Sequence, residues 1–240
     1  MISINKIETF GFEAAIRGCR NPMNSWDKSD SKFYNVDNLC VEDWHLIGTF
    51  NIGPNDLKLM QSLIRAGTDH SKFMRMINVT MDITAPRYWW SEMDTYKIGT
   101  VADSCSTMHT LHKTDLTNYN EIFSIDEDFR DLNVAWDDNY LEEHNEAYET
   151  IRDLIHNSIH SVVALNQCYK ETGDKRYWRA LIQLLPQSFN QKRTWQANYQ
   201  VLRNIYFTRR AHKLDEWIDF CHMIEELPYS QELICYGINT

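Results

Sequence analysis

The chain has 240 residues, 43% of them hydrophobic and 12% aromatic, with a formal net charge of −10. That apolar fraction supports an ordered globule with a real core and excludes intrinsic disorder. The acidic balance excludes a sequence-independent grip on nucleic acid, yet a few local cations suffice to hold a small phosphorylated ligand.

In chain order, the opening MISINKIETF lacks the apolar core of a signal peptide. No later run is long and apolar enough to cross a bilayer, so a soluble cytoplasmic protein with no membrane partner is expected. Six cysteines (Cys19, Cys40, Cys105, Cys168, Cys221, Cys235) are scattered without a C-x-x-C pair, the pattern of reduced thiols. The stretch AIRGCRNPMNSWDKSDS sets Arg17, Arg20 and Lys28 around Asn24, Ser25, Trp26 and Asp27, too polar for core. Two guanidiniums can clamp a phosphate and an indole can stack on a ring. The alternative is a solvated loop whose charges pair with one another.

GPNDLKLMQSLIRAGT begins with Pro54, offers Asn55 as a cap, aligns Leu57, Met60, Leu63 and Ile64, and stops at Gly67. Those are the signals of a helix. In MINVTMDIT, Ile77, Val79, Met81 and Ile83 alternate with Asn78, Thr80, Asp82 and Thr84, predicting a strand with one buried face that Pro86 ends. An aromatic-rich turn follows, and then a row of small polar groups, DTYKIGTVADSCS. Residues 113–140 are acidic with weak periodicity and predict a long surface excursion. Across residues 143–170, Ala147, Ile151, Leu154, Ile155, Ile159, Val162, Val163 and Tyr169 recur every three or four positions. This predicts one amphipathic helix, with Gly173 closing the turn behind it. DKRYWRALIQLL predicts a shorter helix ending before Pro186. The carboxyl third reads as two further helices broken near residues 209–212. Few strands among much helix predict an α+β fold, one domain over residues 1–240, with an antiparallel sheet and long flanking helices.

Nine histidines raise the question of a metal. His156 and His160 share a helix face, but HNSIH lacks the glutamate of a HExxH site, and His109 and His112 have no evident third ligand, so no metal is expected. No G-x-S-x-G elbow or Walker loop is present. Cys105 is a candidate nucleophile, against the alternative of a small buried thiol.

The order of these pieces (a helix ending in glycine, TDHSKF, a strand ending Ala85-Pro86, an aromatic segment, the polar row) resembles the flavin-dependent thymidylate synthases. Their signature, Arg-His-Arg-x-x-Ser-x-Asn-Glu-x-Ser-x-Arg, falls without gaps on Thr95-Tyr96-Lys97. Thr100 then takes the first serine, Ala102 the asparagine, Asp103 the glutamate, Cys105 the second serine and Thr107 the last arginine. The carboxyl third is similar in Leu185, Pro186, Trp195, Asn198, Leu202, Arg209, Glu216 and Trp217. The arginine expected near Asn198 is Gln200, with Arg203 one turn further on.

The resemblance implies ligand sites between subunits of a homotetramer. It implies FAD, a uridine monophosphate, a folate and NADPH as ligands. Lys97, Thr100, Asp103, Ser106, Asn198, Gln200, Arg203 and Arg209 would line the pocket, with Arg17, Arg20, Lys28 and Arg210 as further cations. Cys105 stands at a serine near the substrate. Because the signature's anchoring charges are replaced, ordinary dUMP methylation is expected to be weak or absent. The expected function is nucleotide or nucleotide-derivative binding on this scaffold. The alternative is a flavin-dependent, thymidylate-synthase-like enzyme that modifies a pyrimidine nucleotide.

Overall fold

A computed structural model describes residues 2–34, 49–126 and 151–237. Its strands are β1 (Ser3–Phe10), β2 (Lys32–Phe33), β3 (Phe50–Asn51), β4 (Asn78–Pro86), β5 (Val101–Ser104) and β6 (Asn190–Asn198). The longer helices are Phe12–Arg20, Pro54–Arg65, Arg87–Met93, Ile151–Thr172, Lys175–Leu184, Tyr199–Arg209 and Asp215–Glu225. One sheet has the order β1-β4-β6-β5, and β2 pairs antiparallel with β3. The fold is α+β, a mixture of helices and antiparallel sheet.

Strand β4 carries the predicted alternation. Val79, Met81, Ile83 and Ala85 are fully buried, between positions that remain partly open. Pro86 does not end the order, however. The aromatic segment expected as a turn is the helix Arg87–Met93, which buries Trp89, Trp90 and Met93. Pro86 sits at its cap, where a missing N–H costs nothing. The helix from Pro54 forms as expected, but its cap differs. Gly53 occupies the cap position, and Asp30 accepts from the backbone of Asn55 and Asp56 at 2.9 and 3.1 Å. The cap thus comes from a distant carboxylate rather than from Asn55.

Two further expectations are corrected. The carboxyl third does not begin as a helix: Asn190–Asn198 is strand β6, with Trp195 and Ala197 facing the core. The break expected near residues 209–212 is present, between helices ending at Arg209 and beginning at Asp215. The stretch AIRGCR, read as too polar for core, lies in the helix Phe12–Arg20, which buries Ala15, Ile16, Cys19 and Arg20.

The described residues group into two compact units. One comprises Ile83–Thr95 and Asp103–Arg193, with the amino-terminal Met1–Ser3. Its core joins Leu111, Leu116, Phe123, Ile159, Val162 and Leu181. Within residues 113–126, Leu116 and Phe123 are core and Phe123 bridges to Phe189, between positions that are largely exposed. Residues 127–140 of that stretch lie outside the described residues, as do residues 143–150 of the predicted long helix and Cys40. The other unit comprises Ile4–Asp82, Tyr96–Ala102 and Thr194–Thr240. Trp217, Phe220, Tyr199 and Met60 are buried in it, and an ion pair between Arg20 and Asp56 crosses its interior at 2.6 Å. Among the described residues no helix is long and apolar enough to cross a membrane. The described cysteines Cys19, Cys105, Cys168, Cys221 and Cys235 are free thiols.

Candidate functional site

The segment Tyr96–Ala102 has a glycine where it passes close to the start of a helix. Gly99 has φ +78°, and a Cβ there would lie 3.1 Å from both Asn198 Nδ2 and Val201 Cγ2. Thr100 ties the loop down by donating to the carbonyl of Tyr96 at 2.5 Å. Asn198 caps the helix Tyr199–Arg209 by accepting from Val201 N–H at 3.1 Å. The rest of the loop is turned outward: Lys97 is exposed, Ile98 is 92% exposed and Val101 66%.

At the other end of that helix, Arg209 is held in an aromatic frame. Its Nε donates to the Tyr96 hydroxyl at 3.0 Å, and its guanidinium carbon lies 4.6 Å from the centre of the buried Trp217 ring. Nη1 lies 2.9 Å from His212 Nε2. Leu214 N–H lies 3.2 Å from His212 Nδ1, and the donor and acceptor roles across the Arg209–His212 contact follow the ring's tautomer. The guanidinium of Arg209 is the fixed cation here, a group that pairs with an anionic oxygen.

Other basic and polar candidates are committed to the interior. Arg20 is buried against Asp56 and donates to Ser25 O at 3.1 Å. Gln200, 8% exposed, accepts from Ser71 Oγ at 3.2 Å. Arg203 turns away from the loop and donates from Nη1 to the carbonyls of Ile234 at 2.5 Å and Tyr236 at 2.8 Å. Burial among them pulls its guanidinium below the usual arginine range. Arg203 therefore anchors the chain's end rather than standing in for Gln200. Arg17, Lys28 and Arg210 are exposed, and Arg17 pairs with Glu13 at 3.3 Å. Trp26, expected as a stacking face among these cations, donates to Asn21 Oδ1 at 2.8 Å and is half exposed.

The remainder of the polar row belongs to the other unit. Asp103 and Cys105 are exposed and Ser106 is partly so. The thiol of Cys105 is thus open, not the small buried thiol that was the simpler expectation. Its N–H donates to Lys192 O and its carbonyl accepts from Gln191 Nε2, both at 2.9 Å. Gln191 is itself fixed by Arg193, which stacks 4.2 Å over Trp90 and bonds Asp94 at 2.6 Å. Nothing in the sequence distinguishes this network from ordinary surface charge. His212 was likewise missed. Tyr96 falls at the signature's histidine, and its hydroxyl was the available signal. Among the described residues no group of three metal-binding side chains converges.

No family model matches the chain, and no curated protein matches it in sequence. Two solved structures match it along nearly its whole length. One is the flavin-dependent thymidylate synthase ThyX of Helicobacter pylori complexed with FAD and dUMP. It has a TM-score of 0.61 and 17% identity, and covers 97% of each chain. The second is Thymidylate Synthase X of the same organism with FAD and dUMP, with a TM-score of 0.61, 16% identity, and coverage of 98% of this chain and 97% of that one. The chain has the fold of the flavin-dependent thymidylate synthases. On this thymidylate synthase fold, the matched Trp195, Leu202 and Trp217 are core residues and Asn198 is a helix cap.

Proposed function

We propose that the chain binds a nucleotide or nucleotide derivative on its thymidylate synthase fold, with the ligand's anionic group at Arg209 and His212. The loop carrying Lys97 and Thr100, which reaches Arg209 through Tyr96, contributes the neighbouring polar surface. The observation that carries this reading is the guanidinium of Arg209, fixed by the Tyr96 hydroxyl and the Trp217 ring. The matched structures' dUMP has the corresponding chemistry, a phosphate and a planar ring. Thermal unfolding with dUMP tests it. A ligand at one hundred times its Kd stabilises by about 2.7 kcal/mol, or roughly 5–11 °C for a chain of this size. The shift should vanish in Arg209→Ala. No shift with dUMP or other mononucleotides, or an unchanged shift in Arg209→Ala, would overturn the proposal.

The second reading is a flavin-dependent enzyme that modifies a pyrimidine nucleotide, favoured by the FAD in both matched structures. The fixed guanidinium of Arg209 pairs with a single anionic group, so a mononucleotide is placed first and FAD second. Flavin absorbance in the purified protein would reverse that order. Weak or absent methylation of dUMP remains part of the proposal, and robust growth of a thymidine-requiring strain would refute it. A homotetramer with shared sites is also proposed. Outward Ile98 and Val101 are apolar groups that a neighbouring subunit would cover. Light scattering that returned a monomer would remove this part. A reducing, cytoplasmic setting completes the reading.

A further inference from the structure

We propose a second ligand site, separate from Arg209, that takes a planar heteroaromatic ring of nucleobase type. A cavity of about 350 Å³ opens beside the helix Phe12–Arg20, walled by Phe10, Phe33, Tyr34 and Phe50, with Glu13 and Arg17 among its lining residues. Its volume falls in the range of small-molecule sites, on the order of 300–1,000 Å³.

The walls form an ordered stack. Phe12 lies on Phe50 with ring centres 4.4 Å apart at 28°, and Phe50 lies near Phe33 at 5.9 Å and 12°. The register of β2 against β3, with Phe33 opposite Phe50, holds that ladder in place. Phe12 is buried at one end, whereas Phe10 in the same cavity is 48% exposed. Near-parallel rings that reach an open cavity make a platform on which a flat ring can stack.

The charges narrow the occupant further. Glu13 and Arg17 bond each other at 3.3 Å with side chains 50% and 64% exposed, a solvated pair of little intrinsic worth that exchanges readily for ligand contacts. A nucleobase edge presents an N–H or amino group to the carboxylate and a ring nitrogen or carbonyl to the guanidinium. An alkyl ligand has no edge to meet the two charges, and Glu13 repels a polyanion. The net charge of −10 disfavours an RNA strand as the source of the base, which leaves a free nucleobase or nucleoside. Arg17 thus works with Glu13 and the phenylalanines, not with Arg20, whose guanidinium is buried elsewhere.

The test uses the full chain and four uncharged probes: adenosine, guanosine, cytidine and uridine. Lacking phosphate, they read the cavity independently of the anion site at Arg209. Calorimetry and saturation-transfer NMR should show saturable binding of at least one of them. Phe10→Ala should weaken it about tenfold or more, the loss of one base–aromatic stack. Glu13→Gln and Arg17→Met should change which base is preferred, and Arg209→Ala should leave the affinity unchanged. Phe10, Glu13 and Arg17 are exposed, so circular dichroism should report an intact fold in all three variants. The proposal is overturned if no nucleoside saturates at millimolar concentration, if Phe10→Ala binds like the parent, or if Arg209→Ala abolishes binding. The dUMP shift proposed for Arg209 is measured separately and stands or falls by itself.

Discussion

Replacing Asp56 with alanine should be among the most damaging single changes in the chain. The carboxylate is 1% exposed and accepts from Arg20 Nε at 2.6 Å, Ser29 Oγ at 2.7 Å and Ser31 Oγ at 2.6 Å. It also takes the N–H groups of Asp30 and Ser31 at 3.2 and 3.1 Å. Asp56→Ala would leave the guanidinium of Arg20, itself 5% exposed, buried without its counter-charge. Breaking a buried pair from one side costs about 3–5 kcal/mol. At about 2–4 °C per kcal/mol for a chain of this length, the melting temperature should fall by roughly 6–20 °C. Calorimetry and urea titration followed by circular dichroism measure it. The double replacement Arg20→Met with Asp56→Leu should recover only the part due to the unpaired guanidinium, because the donors on Ser29, Asp30 and Ser31 still lose their acceptor. A loss below about 1 kcal/mol in the single variant would mean that water solvates the pair, and the reasoning would fail.

The same carboxylate makes the fold acid-sensitive. Burial alone would raise its pKa, but hydrogen bonds from Ser29, Ser31 and Arg20, with the charge of Arg20, hold it below the ordinary value. A depressed carboxyl stabilises the fold above its unfolded pKa of about 3.9, and that contribution disappears as pH falls through the folded value. Unfolding measured between neutral pH and about pH 2 should steepen below pH 4, and Asp56→Asn should flatten that profile. Gly99→Ala places a Cβ at φ +78° and 3.1 Å from the Asn198 side chain. It should cost about 1 kcal/mol and reduce the dUMP-induced shift, and an unchanged shift would detach the loop from the site. Alkylation near neutral pH should modify Cys105 ahead of Cys19 and Cys221. Burial pushes both of those up to about 12, whereas Cys105 is exposed. Peptide mapping that found Cys19 labelled first would contradict the packing of the helix Phe12–Arg20.

The parts of the fold that were legible in the sequence are those with local signals. Strand β4 alternates cleanly, and the helix Pro54–Arg65 carries its proline and glycine at the ends. Strand β6 failed to announce itself because NQKRTWQAN is rich in Gln, Lys and Arg, which favour helices when judged alone. What makes it a strand is pairing with distant segments, and only Trp195 and Ala197 show the buried face. The helix Phe12–Arg20 was hidden by Arg20 itself. A buried arginine is intelligible only with Asp56, which follows 36 residues later.

The positions that carried the resemblance were legible for a different reason. Of the residues that carried the resemblance, Trp195, Leu202 and Trp217 fill the core, and Asn198 caps a helix against the close approach of Gly99. Packing and capping tolerate little change, so these positions remain readable at low identity. A position whose partner is a ligand is constrained by that ligand, and it can change when the ligand does. At the signature's charged positions the chain reads Thr95, Tyr96, Lys97, Asp103 and Thr107, so only Lys97 and Asp103 keep a charge. Arg209 is held by packing as well: Tyr96 and Trp217 fix its plane, and Nη1 points at His212. Tyr96 is therefore no blank in the motif. Tyr96→Phe keeps the ring while removing the hydroxyl that Arg209 bonds, so the fold should be unaffected and the dUMP-induced shift should shrink. An undiminished shift would show that the aromatic frame, without the hydrogen bond, is enough to orient the guanidinium.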